Sequence, residues 1–346
     1  MADLAIVVVS TNEAHWLRNC LSTVFDRAGG ASLDVIVVDN SSTDGTRELV
    51  ESSFPQARVV TSPNRGFAYG NNRGIEAANA RYVLLLNPDT EVIEGSFGEL
   101  VQLLDARPRV GLVGVRQIAA DGNLWPSIRR FPSISRNLGE ALASERWPIH
   151  PSWAGERVLE WAAYDREGDC DWTSGSFMLA RREALLGAGL LDERFFIYCE
   201  EPDLCLRIKR AGWQIRHLPQ MTIVHHAGKG GLRPKMIAQD AYARKQYAKK
   251  YFGGVYRYLF LSTYGLGHLL RAAGSRFTGD EALPQRQAAL GALGTMVGRA
   301  EPPFGPPPPT AVAIPIAQAN GNVVPPQTAA GVPSSGDDRQ SAWGGA

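Results

Sequence analysis

The chain has 346 residues, 36 Lys+Arg against 35 Asp+Glu, 44% hydrophobic residues and 21% charged ones. Such values exclude a wholly disordered chain, a polytopic membrane protein and a generally basic nucleic-acid coat. The four cysteines, Cys20, Cys170, Cys199 and Cys205, are spread without CxxC or zinc-type spacing and suit reduced thiols in a cytoplasmic compartment.

Strand and helix patterns alternate through the first hundred residues. Leu4–Ser10 (LAIVVVS) is a continuous β-branched run, the pattern of a strand buried on both faces. Asn12 to Phe25 has helical spacing, and Asp34–Asn40 (DVIVVDN) is a second buried strand. SSTDGTRELVESSF opens with the capping candidates Thr43 and Asp44 and continues as a helix. ARVVTS reads as a third strand, GFAYGNNRGIEAANA as a helix and RYVLLLNPD as a fourth strand. Strands separated by single helices imply right-handed βαβ units and a parallel sheet.

Further on, VGLVGVRQI reads as a strand, followed by a turn at Asp121-Gly122-Asn123. Residues 133–168 are irregular and Trp-containing, a loop or short helices over the site. Cys170–Ala180 reads as a strand, Glu200–Ala211 as a helix and Ile215–His226 as a strand. No basic region precedes an apolar core at the N-terminus, so a secretory signal is not expected. The longest apolar stretch, Val255–Ala273, is broken by Arg257, His268 and Arg271 and does not read as a membrane span.

Ligands of such sheets bind beyond the carboxyl ends of the strands, where three polar clusters fall: residues 10–13, 39–42 and 87–89. Asp89 at a strand end can reach a divalent cation bridging diphosphate oxygens, or it can cap a following helix. Asp39 is placed to accept hydrogen bonds from a ribose or base. The glycines at 66, 70 and 74 share one helix face, as close packing or a close ligand requires. The segment contains neither a GxGxxG dinucleotide fingerprint nor a phosphate-loop lysine. Glu200, Glu201 and Asp203 cluster at a helix start beside apolar flanks, where a base with a raised pKa is easily arranged. Asp203 and Arg207 are spaced to pair. His225 and His226 end the last strand.

Taken in order, these pieces resemble the inverting family 2 glycosyltransferases, particularly their bacterial rhamnosyltransferase-like branch. The matching stretches are VVVSTNEAHWLRNCLSTV, VIVVDNSSTDGT, NRGFAYGNNRG, YVLLLNPDT, WTSGSFMLARREAL, LDERFFIYCEEPDLCLRIKRAGW and IVHHAGKGG, across about residues 3–230. The resemblance implies an α/β GT-A fold, a Rossmann-like, mostly parallel sheet flanked by helices. Thr11, Glu13 and Asp39 would hold base and ribose, with Asn12, Asn64, Gly66 and Asn71 on the same nucleotide side. Asn87 and Asp89 correspond to the metal-binding DxD motif with its first Asp replaced by Asn, and His225 to a histidine near the metal or diphosphate. Mg²⁺ or Mn²⁺ is the implied cofactor. Glu201 falls at the catalytic-base position, and either it or Glu200 is the base. Trp172 and Gly175 match the acceptor strand, and Asp203 joins that acceptor side. Arg129 and Arg130 can bind phosphate of the donor or of a lipid diphosphate acceptor.

The implied reaction moves a sugar, foremost rhamnose from dTDP-rhamnose, to a glycan or polyprenyl-diphosphate-linked acceptor in cell-envelope or exopolysaccharide synthesis. A UDP-hexose donor, or an inactive nucleotide-sugar-binding scaffold, are the competing readings. Residues 1–234 form the expected catalytic domain, 235–300 a basic helical segment and 301–346 a disordered tail, with 10 of the 22 prolines in residues 302–346. Residues 235–276 carry eight Lys/Arg and one Asp, a net +7, against −4 for residues 1–234. Interleaved with tyrosines, that charge suits an anionic membrane surface, or equally helices packed on the catalytic domain with a solvated basic face, better than nucleic acid. The expected location is cytoplasmic, with peripheral contact at the inner face of the plasma membrane.

Overall fold

The computed structural model describes residues 1–226, 234–274, 282–299 and 301–304. Its first half alternates β1 (Ala2–Ser10), α1 (Ala14–Asp26), β2 (Leu33–Asn40), α2 (Thr46–Ser53), β3 (Arg58–Ser62), α3 (Phe67–Ala77) and β4 (Ala80–Leu86). Next come β5 (Thr90–Glu94), α4 (Phe97–Asp105), β6 (Val110–Ile118), β7 (Ile128–Arg129) and α5 (Ile134–Ala141). Then follow β8 (Gly168–Asp169), β9 (Trp172–Thr173), β10 (Phe177–Arg181), α6 (Arg182–Ala188), α7 (Glu200–Arg210) and β11 (Gln214–His225). The helices α8 (Pro234–Tyr251), α9 (Gly254–Gly274) and α10 (Ala282–Val297) complete the described chain.

One large sheet runs β3-β2-β1-β4-β10-β6-β11-β5, with β8 added on β11. The β3-β2-β1-β4 half is parallel, as the alternating pattern requires. In the other half β10 runs antiparallel to β4 and β6, and β5 antiparallel to β11. Strands β7 and β9 form a separate two-stranded ribbon. The apolar runs are buried on both faces: Leu4, Ile6 and Val8 join a core with α1 and α4, while Ala5 and Val7 join one with α3, α6 and α7. The glycine face of α3 explains its close seat on the sheet. A Cβ at Gly70 would come within 2.7 Å of Val9 Cγ1, and one at Gly74 would overlap Val7.

Several local expectations change. The residue after Asp89 begins a strand, so Asp89 caps no helix. Helix α2 starts from Gly45 in the left-handed region (φ 81°) without a side-chain cap; Asp44 instead accepts bonds from Thr46. Cys170–Ala180 is broken by a turn at 174–176 into β9 and β10. All four cysteines are free and buried. Burial pushes the Cys20 and Cys170 thiols up to about 12, so they stay protonated.

A buried charge cluster fastens α7 to α8. Asp203 accepts from Arg207 Nε (2.9 Å) and Tyr251 Oη (2.6 Å), and Lys250 Nζ lies 2.5 Å away. Lys250 also reaches Asp192 at 2.7 Å, and Arg194 pairs with Asp192 in turn. Both Asp203 and Arg207 are fully buried, so the expectation that Asp203 meets an acceptor is corrected: its carboxylate is consumed internally. Removing one member leaves uncompensated buried charge, worth about 3–5 kcal/mol. Asp203→Ala is expected to lose that much in chemical denaturation, whereas Arg47→Ala, at an exposed helical pair, should lose under about 1 kcal/mol.

Candidate active site

The site lies at the carboxyl ends of the parallel strands and is closed by hydrogen bonds between segments far apart in the chain. Asn12, in the left-handed region, accepts from Thr43 N (2.7 Å), and its own N–H donates to Ser42 Oγ (3.0 Å). Those bonds tie the end of β1 to that of β2. Asp39 is 6% exposed and accepts from Ser42 N at 2.9 Å through Oδ1, which shapes the same loop. Asn64 N donates to Ser41 Oγ (3.3 Å), and Asn64 Oδ1 accepts from Gly66 N (3.2 Å). Thr11 and Glu13 flank Asn12 and are half-buried, Glu13 being the residue ahead of α1.

Gly66 turns the chain into α3 with φ 101°, and any Cβ there would collide with the Phe196 carbonyl. That carbonyl accepts from Phe67 N at 2.6 Å, joining the start of α3 to the loop ahead of α7. Asn71 faces inward: it is 1% exposed and donates to Phe67 O at 2.9 Å. Its expected place on the nucleotide side is therefore corrected to a bond within α3. Its neighbour Asn72 pins residues 191–193 from the other end, bonding Leu191 and Glu193.

Tyr198 (φ 73°) and Cys199 (φ 67°) are consecutive non-glycine residues in the left-handed region, just before Glu200. Such residues cost of order 1–3 kcal/mol each and persist where surrounding packing holds them. Their effect is to swing the first turn of α7 onto the 174–176 turn. There Gly175 N donates to Glu201 Oε1 at 3.2 Å, and a Cβ on residue 175 would lie 2.8 Å from that oxygen. The same turn meets the β4 end, where Asn87 N donates to Ser176 O at 3.1 Å. One three-residue turn thus touches both the Glu201 carboxylate and the strand end carrying Asp89.

The two glutamates differ. Glu200 is 1% exposed, and its Oε2 has no hydrogen-bond partner among the described residues. Burial and then the neighbouring Glu201 charge push its pKa well above the ordinary carboxylate value. Glu201 is half-buried and also raised by burial, but the N–H groups of Glu201 and Gly175 and the Arg129 charge oppose the shift. Arg129 lies over the Trp172 ring at 5.5 Å, and Trp172 Nε1 donates to Arg130 O at 2.9 Å.

Asp89 Oδ1 is 3.3 Å from His225 Nε2, and His226 N donates to Asp89 O at 2.9 Å. His225 is buried, with Nδ1 unpartnered among the described residues. Among those residues no three His, Cys, Asp or Glu side chains converge, so no all-protein cage exists. A carboxylate and an imidazole meeting at a strand end are a donor set that would fit a divalent cation. Asn87 is half-buried beside them. The expected continuation through Ala227, Gly228 and Lys229 lies outside the described residues.

Sequence patterns missed several contributors. Trp125 stands edge-on to His225 (4.9 Å), and Trp16 stacks on His226 (4.5 Å), which reaches Glu91 at 2.9 Å. Phe304 stacks on Phe196 at 4.5 Å, bringing residues 301–304 back to the site. The rest of the expected tail, 305–346, lies outside the described residues.

The fold and this strand-end cleft define a glycosyltransferase of the GT-A type. The profile described as Glycosyl transferase family 2 matches residues 5–172. An N-acetylglucosaminyl-diphospho-decaprenol L-rhamnosyltransferase of Mycobacterium tuberculosis is 31% identical over 235 residues, covering 64% of this chain and 76% of the relative. Rhamnosyltransferase WbbL of Escherichia coli is 23% identical over 230 residues, covering 64% and 83% respectively. A solved structure of GalNAc-T7 with UDP, GalNAc and Mn²⁺ shares the fold at TM-score 0.53 and 13% identity, over 86% of this chain and 56% of that one. The chain belongs to glycosyl transferase family 2.

The Glu200 environment has a pH consequence. A carboxylate whose pKa is raised on folding costs nothing below the unfolded value, and its full penalty appears above the raised folded value. Glu200→Gln should therefore match the unsubstituted protein in Tm near pH 4 and exceed it near pH 8, read by thermal melts across that range.

Proposed function

We propose that this glycosyltransferase moves rhamnose from dTDP-rhamnose to a hydroxyl of a glycan or lipid-linked glycan, in one inverting displacement, in cell-envelope polysaccharide synthesis. The observation that carries the chemistry is the Glu201 carboxylate, seated on Gly175 N beside the strand end that bears Asp89. The rhamnose and lipid-linked assignments draw on the two rhamnosyltransferases among its relatives.

In this reading Glu201, half-buried and reached by the Arg129 charge, accepts the acceptor's hydroxyl proton. The acceptor oxygen then bonds to the anomeric carbon from the face opposite the leaving group. The bond from that carbon to the diphosphate oxygen breaks, and its electron pair leaves with the nucleoside diphosphate. Glu200 is buried, and burial beside Glu201 raises its pKa well above the ordinary carboxylate value, which leaves half-buried Glu201 as the carboxylate for the step. On the donor side, Thr11, Asn12, Glu13, Asp39, Asn64 and Gly66 shape the base and ribose pocket. Asp89 and His225, with Asn87, would hold Mg²⁺ or Mn²⁺, whose chemistry when bound is to neutralise charge on the departing diphosphate.

Glu201→Gln is expected to lower kcat about 10²–10⁴-fold with donor binding little changed. Asp89→Ala should instead abolish the Mn²⁺-dependent part of nucleoside-diphosphate binding in calorimetry. Near-native turnover in Glu201→Gln would move the base elsewhere.

Peripheral membrane contact belongs to the same proposal. Among the described residues no helix is long and apolar enough to cross a membrane. Helix α9 nevertheless exposes Val255 (76%), Tyr258 (77%), Leu259 (52%) and Leu269 (53%), with Arg257 and Arg271 on the same helix. Not all of the basic charge in this region is available, because Arg244 pairs with Glu156 and Lys250 with Asp192 and Asp203. An apolar stripe with flanking cations suits an anionic bilayer surface. The chain should float with anionic vesicles at low salt and less at high salt; no flotation at either would reject this contact.

A further inference from the structure

Arg129, Arg130, Arg136, Arg166 and Lys209 line a single cavity of about 430 Å³ beside the β7–β9 ribbon. Its two carboxylates are already engaged. Asp171 accepts from Phe131 N (2.9 Å) and Lys209 (3.3 Å), and Asp169 pairs with Arg216 at 3.1 Å. None of the four arginines has a carboxylate within ion-pair distance among the described residues, whereas Arg47, Arg58, Arg81, Arg107 and Arg116 all do. Arg130 and Arg136 spend their bonds on neutral backbone carbonyls, Gly155, Arg157, Phe131 and Ser152. The Arg129 Nε is buried with no partner. Burial, then the neighbouring Arg157 charge, pull that guanidinium below its ordinary pKa, a cost that a bound anion would relieve.

We infer that this cavity is an anion subsite for a phosphate or diphosphate ester carried by the acceptor. The inference rests on the transfer reaction proposed above and names the substrate class that reaction uses. Position separates the cavity from the donor. It shares no lining residue with the strand-end loops that carry Asp39, Asn87, Asp89 and His225. It is joined instead to the base: Arg129 lies over Trp172, and three residues further along the chain Gly175 holds Glu201. Three extended residues span at most about 10 Å. The Arg129 charge also acts on the Glu201 carboxylate, so a phosphoryl group seated against Arg129 and a hydroxyl presented to Glu201 fall in one neighbourhood. Planar guanidinium groups suit phosphate through paired hydrogen bonds. Ile128, Val158 and Ala163 supply apolar wall between the cations.

The test is calorimetric titration of the full chain with inorganic pyrophosphate in the presence of EDTA. One site is expected, weakened at least tenfold in Arg166→Ala and in Arg130→Ala, and unchanged in Arg47→Ala. Arg166 is exposed and makes no ion pair among the described residues, so its variant keeps the fold even where Arg130→Ala disturbs its loop. A diphosphate-linked N-acetylglucosamine on a short prenyl chain should displace the pyrophosphate, and a nucleoside diphosphate should not. In turnover, Arg166→Ala should raise KM for that acceptor about tenfold and leave the donor KM and the rate with a neutral alkyl glycoside unchanged. No pyrophosphate binding, equal binding in both arginine variants, or displacement by the nucleoside diphosphate would each overturn the subsite. A chain that binds pyrophosphate as described but transfers no sugar would reject the proposed reaction and uphold the subsite.

Discussion

The buried carboxylate of Asp203 is the constraint from which the geometry of the site follows. It gathers Arg207 from its own helix and Lys250 and Tyr251 from α8, and through Lys250 it reaches Asp192 in the loop before α7. A fully buried ion cluster is unforgiving about position, since a displaced partner leaves charge in a low-dielectric interior. The first turn of α7 is thereby held from behind. Its strained entry through Tyr198 and Cys199 can persist because the elements on both sides of it are fixed.

From that fixed turn the cleft closes as a circuit. Glu201 rests on Gly175, Ser176 accepts from Asn87, and Asp89 meets His225 at the end of β11. On the opposite side Phe196 accepts from Phe67, Asn64 meets Ser41, and Thr43 meets Asn12. Each link is a single hydrogen bond or close polar contact between distant segments, worth little alone. Together they place the polar ends of β1, β2, β4 and β11 around one opening with a carboxylate at its rim. The arginine-lined cavity lies beside the β7–β9 ribbon and shares no lining residue with those strand ends.

Much of this was legible in the chain itself, and the reasons are specific. Runs such as LAIVVVS and DVIVVDN have no polar face, so they can only be strands covered on both sides. Once they are parallel, ligand-binding residues are expected at or just past their ends, which is where Asn12, Asp39 and Asp89 lie. The glycine spacing in α3 likewise foretold a close seat on the sheet. What stayed hidden depended on partners far away in sequence. Asp203 and Asn71 carry the same side chains whether they face a ligand or the interior, and only the arrival of α8 or the curl of α3 decides. Trp125 meets His225 because the segment after β6 folds back over the end of β11, a contact of one hundred residues' separation without local signature. The left-handed pair before α7 contains no glycine to announce it, and the pairing of β5 with β11 turned an expected helix cap into a strand start.

In the proposed reaction one carboxylate, Glu201, deprotonates the acceptor for a single displacement at the anomeric carbon, with Glu200 buried behind it. The anomeric configuration of the first-formed product, read by proton NMR during turnover, tests this most directly. A product inverted relative to the nucleotide-sugar donor is the predicted result. A product of retained configuration would contradict it, because retention by two displacements requires a nucleophile that attacks carbon where this account has a base that takes a proton.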